Sequence, residues 1–157
     1  MKILILGADG YLGWSMAANL FSSSHDLILI DNYSKRRHMK SLKRYPLLET
    51  PLVNKRIQNI KRKGVTKFYQ LDCSIYDDTH KIIKKYLPDV IIHFAELPSA
   101  PFSMMNTINS WETLRNNLQS TFNIIHALKD FSPKTHLIKL GTMGEYGTPN
   151  IDIEEGW

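Results

Sequence analysis

Short apolar runs alternate along the chain with longer amphipathic or polar stretches, the pattern of β-α-β units whose parallel strands are covered on both faces. Lys2 to Leu6 reads as the first strand, Tyr11 to Ser22 as a helix, Asp26 to Ile30 as the second strand and Lys67 to Gln70 as the third. A helix around Asp77 to Tyr86, a strand Asp89 to His93, a long helix around Trp111 to Asp130 and a strand His136 to Leu140 complete the series. The class is α/β, with a parallel sheet that stops after about the fifth strand and a single domain over residues 1–157. Lys35 to Lys63 is longer than an ordinary connection. Pro46 and Pro51 divide it into a short helix, a turn and a second helix, so it reads as a helical insertion.

Composition narrows the setting. With 157 residues, 43% of them hydrophobic, the chain is long enough to bury a core. No apolar run approaches the ~20 residues of a membrane span, and Met1-Lys2 leads straight into a strand, so no membrane partner and a cytoplasmic location are expected. The only cysteine, Cys73, has no partner for a disulfide and no ligands at metal spacing, and no metal site is expected. The net charge of +5 is uneven: twelve Lys or Arg and one acid, Glu49, lie between Lys35 and Lys67, while the rest of the chain is net acidic. No aromatic residues interleave with these cations as a recognition module would require. Nucleic acid is therefore not an expected partner, and the basic stretch reads as a solvated face that also meets anionic phosphates.

The first candidate chemistry follows the first strand directly. Gly7-Ala8-Asp9-Gly10-Tyr11-Leu12-Gly13 places glycines at the first, fourth and seventh positions and opens onto a helix. The first glycine permits a tight turn, the second lets backbone approach a pyrophosphate, and the third allows helix and strand to pack closely, while the helix N-terminus attracts the phosphate charge. Together with the strand pattern this is a Rossmann-type, doubly wound dinucleotide-binding arrangement. Asp31-Asn32 ends the second strand about 20 residues on, where an acid accepts from the adenosine ribose hydroxyls. That acid favours NAD over NADP, whose 2′-phosphate it would repel, although Arg36 and Arg37 lie close by in sequence. Those two arginines are either a solvated pair or phosphate contacts.

Further candidates sit at the ends of the later strands, the edge of an open parallel sheet where ligands gather. Asp72 either accepts from the adenine amino group or caps a turn. Ala95, Glu96 and Ser99 belong to the loop after the fourth strand, which borders the same groove. Thr142, Glu145 and Tyr146 concentrate a hydroxyl, a carboxylate and a phenol after the fifth strand, where a substrate would meet the nicotinamide.

On these motifs the chain resembles the extended short-chain dehydrogenase/reductases of the NAD-dependent epimerase/dehydratase type, and within them the UDP-sulfoquinovose synthases. The resemblance runs through the glycine loop to Trp14, Asp31-Asn32 with Arg36-Arg37, Ser99 to Met104, Asn116-Asn117, and most specifically KLGTMGEYGTPNIDIEEG from Lys139 to Gly156. It implies tightly held NAD, UDP-glucose as substrate, sulfite or a sulfite donor as second reactant, and a homo-oligomer. Hydride passes from the sugar C4 to NAD, the 4-keto group acidifies the adjacent proton, water is eliminated across C5 and C6, sulfite adds, and hydride returns. Thr142 matches the family's active-site Ser/Thr, Asn116 or Asn117 lies near the nicotinamide, and Ser99, Met143 and Glu145 meet the substrate. Dehydratases of this kind carry an Asp-Glu pair where this sequence has Met143-Gly144, which leaves Glu145 as the nearby carboxylate for acid/base work. The family's Tyr-x-x-x-Lys pair has no match, since no tyrosine here is followed by lysine four residues later. The chain is therefore expected to lack both the general base and the C-terminal sugar-binding domain, and to be inactive alone. Two other readings are another nucleotide-sugar epimerase or dehydratase and a non-catalytic dinucleotide-binding remnant.

Overall fold

The computed structural model describes residues 1–98, 100–141, 147, 151 and 152. Five parallel strands, β1 Lys2–Leu6, β2 Asp26–Asp31, β3 Thr66–Gln70, β4 Val90–His93 and β5 His136–Lys139, form one sheet in the order β3-β2-β1-β4-β5. This is the Rossmann order over its first five strands. Both faces of the central strand are covered because successive side chains point to opposite sides. Ile3 and Ile5 of β1 join Leu27, Leu29 and Ile92 beneath α1 (Tyr11–Leu20), where Ala17 and Phe21 pack. Leu4 and Leu6 join Ile28, Ile30 and Ile91 on the other side, beneath α4 (Tyr76–Tyr86) and α6 (Thr107–Phe131), which contribute Ile82, Ile83, Ile124, Ala127 and Leu128. The strands thus read as continuous apolar runs, as expected of a sheet buried on both faces.

The long β2–β3 connection holds two helices, α2 (Ser34–Ser41) and α3 (Val53–Gln58), with Pro46 and Pro51 between them. Val53 and Ile57 of α3 are buried in the α1-side core. Two boundaries differ from the sequence pattern. A short helix α5 (Ala100–Ser103) stands where a loop was expected, and α6 starts at Thr107, four residues before Trp111. The cause is local capping: the Asn106 side chain accepts from the Asn109 N–H at 2.9 Å and opens the helix there. No helix among the described residues is long and apolar enough to cross a membrane.

Two glycines fix the carboxyl edge of the sheet. Gly7 has φ +82°, and a Cβ there would lie 2.7 Å from the carbonyl of Phe94, just past β4. A Cβ on Gly13 would lie 2.1 Å from the Gly7 carbonyl oxygen. Gly10 is less confined, its added Cβ meeting the same oxygen at 3.3 Å. Gly13→Ala should therefore destabilise the chain by about 2–3 kcal/mol or more, since backbone has to move to make room. Gly10→Ala should cost under about 1 kcal/mol, and urea denaturation of the two variants measures the contrast.

Candidate functional site

A cleft of about 840 Å³ opens along the carboxyl edge of the sheet, between the glycine loop, the ends of the inner strands and the β2–β3 segment. Gly7, Asp9, Gly10 and Tyr11 line it. Helix α1 begins there with Gly10 at its N-cap and no capping side chain, so the first-turn N–H groups have no intrahelical acceptor. Such an end is suited to a diphosphate. Gly13 is buried under the Gly7 turn and Leu12 is half exposed outside the lining, so these two shape the loop from behind and beside it.

The acid at the end of β2 holds the loop in place. Asp31 Oδ2 accepts from the Asp9 N–H at 2.9 Å and Oδ1 from the Tyr33 N–H at 2.7 Å. Burial pushes its carboxyl above the ordinary value, opposed by those two N–H donors. Each oxygen keeps acceptor capacity toward the cleft. Asn32 is engaged at both ends, donating to Asp72 Oδ2 at 2.9 Å and accepting from the Ser34 N–H at 2.7 Å. Asp72 also lines the cleft, and its Oδ1 accepts from the N–H and hydroxyl of Ser74, the turn-capping geometry. Its burial opposes ionisation, but these bonds and the nearby Arg37 prevail and hold its pKa below the ordinary value.

The loop after β4 forms the other border. Ala95 and Glu96 line the cleft, and Glu96 pairs with Lys139 Nζ at 2.9 Å. Asn117 donates to the Leu97 carbonyl at 3.2 Å and accepts from its N–H at 2.8 Å, so its amide pins the loop, while its neighbour Asn116 lines the cleft. Behind the loop the buried His93 ring accepts from the Ala95 N–H at Nδ1, 3.3 Å, which leaves Nε2 toward the hydroxyls of Ser120 and Thr121. Burial holds the His93 imidazole down to about 4. Ser99, Thr142, Met143, Glu145 and Tyr146 lie outside the described residues.

Arg36 reaches the cleft, and its guanidinium pairs there with the Asp9 carboxylate. Lys40, Arg44, Thr50 and Arg56 also line the cleft, although no motif singles them out. Their nearest trace in the sequence is the density of cations between Lys35 and Lys67.

Comparison with known proteins places these features in a family. The NAD dependent epimerase/dehydratase family matches residues 3–156. The chain is 41% identical over 157 residues to the UDP-sulfoquinovose synthase of Sulfolobus acidocaldarius, covering 99% of this chain and 40% of that protein. It is 40% identical over 162 residues to the chloroplastic UDP-sulfoquinovose synthase of Spinacia oleracea, covering 99% of this chain and 33% of that protein. The chain thus spans 40% or less of the length of these relatives. The fold is similar to that of the Bifidobacterium longum UDP-glucose 4-epimerase in complex with NAD+ and UDP, with TM-score 0.74 and 22% identity over 96% of this chain and 40% of that one.

His93 gives this edge a pH dependence. A histidine kept neutral in the fold takes up its proton in the unfolded chain first, so stability falls as pH drops from the ordinary value of 6.5 toward about 4. The expected loss is up to about 3 kcal/mol. Denaturation profiles at pH 7 and pH 4.5 should diverge for wild type and less so for His93→Gln; parallel profiles would show that the imidazole does not carry the effect.

Proposed function

The chain belongs to the NAD dependent epimerase/dehydratase family, and from that premise we propose that it is the NAD-binding part of an enzyme that makes UDP-sulfoquinovose from UDP-glucose and sulfite or a sulfite donor. The observation that carries this reading is the 40–41% identity to two UDP-sulfoquinovose synthases across 99% of the chain. The Met143-Gly144 pair agrees with it, because the acid–base pair of the related dehydratases is missing there.

The cleft fits the cofactor. The uncapped start of α1 receives the diphosphate, and Asp31 accepts from the adenosine ribose hydroxyls with the lone pairs its backbone donors leave over. NAD is favoured over NADP for a structural reason. Arg36 is engaged with Asp9 and with the carbonyls of Thr50 and Pro51, and Arg37 with the carbonyl of Asn32. A 2′-phosphate would face the Asp31 carboxylate, while the charge of Arg36 is already committed to Asp9. NAD, when bound, supplies the hydride acceptor for the sugar. Asn117 pins the Leu97 backbone and so holds the Ala95–Glu96 loop as one border of the cleft. On the sequence resemblance Thr142 hydrogen-bonds the sugar hydroxyl that becomes the ketone, with Glu145 as acid or base and Ser99 and Met143 beside the substrate. The phenol and lysine that remove the hydroxyl proton in this family have no counterpart in the sequence, so the chain alone binds cofactor without turning over.

The partner proposed is a second copy. Ile108, Trp111, Leu114, Leu118, Phe122 and Ile125 are 51–77% exposed on α6. At 3.6 residues per turn they form one stripe directly opposite Ser120, Asn123, Ile124 and Ala127, which face the sheet. A helix beside α6 in the same layer would cover its flank, whereas this stripe points away from the layer. A two-fold pairing of the stripe with itself buries it in an isologous interface.

Two measurements test these readings. The purified chain, given UDP-glucose, sulfite and NAD, should form no UDP-sulfoquinovose by mass spectrometry, while a fusion to the region of the Sulfolobus acidocaldarius synthase beyond the match should form it. Product from the chain alone, or a folded fusion that epimerises UDP-glucose and leaves sulfite untouched, would sink the proposal. In sedimentation velocity the wild type should run as a dimer and Leu118→Glu as a monomer; a monomeric wild type removes the partner.

A further inference from the structure

The β2–β3 segment makes contacts that the cofactor reading does not call for. Arg36 of α2 donates from Nε and Nη2 to the two carboxylate oxygens of Asp9 at 2.5 and 3.0 Å, from Nη1 to the Thr50 carbonyl at 2.8 Å and from Nη2 to the Pro51 carbonyl at 3.1 Å. Arg56 of α3 donates from Nη2 to Asp9 Oδ1 at 2.6 Å and to the Asp9 carbonyl at 3.2 Å, with its guanidinium 4.2 Å from the centre of the Trp14 ring. The Asp9 side chain is 8% exposed and that of Arg56 9%.

The segment is also fastened elsewhere. His38 Nε2 of α2 lies 2.9 Å from Glu112 Oε1 of α6, and its ring stacks on Phe102 of α5 with centroids 4.5 Å apart. The segment is thus tied to the glycine loop through Arg36 and Arg56, at either end of its length, and to α6 and α5 through His38. Between α2 and α3, Tyr45, Pro46 and Glu49 line the cleft. The segment therefore forms a wall of the cleft that is fastened both to the glycine loop and to α6.

The chemistry of Asp9 points the same way. A carboxylate inside an anion-binding loop repels the diphosphate that the helix start attracts, and a neutral residue would serve a ligand better. What a carboxylate adds is a partly buried, charge-assisted anchor for two guanidinium groups, which also reverse the local sign of charge.

We propose that the β2–β3 segment is a strap that closes over the bound dinucleotide and slows its exchange, with Asp9 and His38 as its positioning residues. This rests on reading the cleft as the NAD site. The strap limits entry as well as exit, so loosening it accelerates both and shifts the equilibrium less than either rate.

The test is exchange of radiolabelled NAD from the full chain against an unlabelled chase, with association followed by stopped flow, for wild type, Asp9→Asn and His38→Ala. Tryptic cleavage after Arg44 in the ligand-free chain reports opening of the strap. Both variants should release NAD about tenfold faster or more, associate faster, and be cut sooner, since each loses a charge-assisted or stacked tie. His38 is outside the cleft lining, so loss of a phosphate contact does not account for an effect there. Should Asp9→Asn fail to fold, His38→Ala and Arg36→Lys carry the test, the latter keeping the charge and losing the planar fork. Release at the wild-type rate in the folded variants overturns the strap, as does weaker binding produced by slower association alone. A wild type that takes up no NAD overturns the cofactor reading and the strap with it; NAD uptake with unchanged exchange in the variants overturns the strap only.

Discussion

The Gly7 carbonyl lies where a side chain at Gly13 would begin, and the end of β4 presses on Gly7 from the other side. This double backbone contact sets the spacing of β1, β4 and α1, and everything on the carboxyl edge is built outward from it. The Ile30 carbonyl of β2 accepts from the N–H groups of both Gly7 and Ala8, at 2.9 and 3.0 Å, and Asp31 beside it accepts from Asp9. The start of a helix, the ends of three strands and the Asp31 carboxylate are thereby held as one ledge. Side chains at Gly7 or Gly13 would push these parts away from each other, because close-packed backbone has no slack to absorb a methyl group.

Charge is handled locally at this ledge. Asp9, Arg36 and Arg56 form a partly buried cluster, and removing one member of such a cluster leaves an uncompensated charge at a cost of about 3–5 kcal/mol when burial is deep. The same cluster explains the basic stretch that dominates the net charge. Arg36 and Arg56 are turned toward Asp9, Arg37 donates to the Asn32 carbonyl and Arg62 to the Ile57 carbonyl. These four cations are structural fasteners of the β2–β3 segment, so the local excess of positive charge along the sequence overstates the positive surface the fold presents.

Much of the site was legible because its rules are local. The glycine spacing, the strand before it and the helix after it share a few residues of backbone, and the acid at the end of β2 stands at a fixed distance along one β-α-β unit. Other residues changed meaning in three dimensions. Arg36 reads from sequence as a phosphate or solvent-facing cation, yet its partner is an acid 27 positions earlier. Asn117 reads as a cofactor neighbour, yet both ends of its amide hold Leu97. Arg56 carries no motif at all, and its place beside Asp9 and Trp14 depends on how α3 packs. The early start of α6 was hidden for the opposite reason: it is set by a single asparagine cap, a signal one residue wide.

The sequence by itself determined the α/β class, the parallel sheet with both faces covered, the glycine loop at the start of α1 and the acid beside it. Side-chain periods of two and 3.6 and the conformational demands of a glycine turn are written in neighbouring residues. The tertiary structure decided where the β2–β3 segment runs, which cations are free to meet a ligand, and which face of α6 stays uncovered. Those outcomes depend on side chains far apart in the chain meeting across the sheet edge, and no local pattern encodes which of several nearby charges will find Asp9.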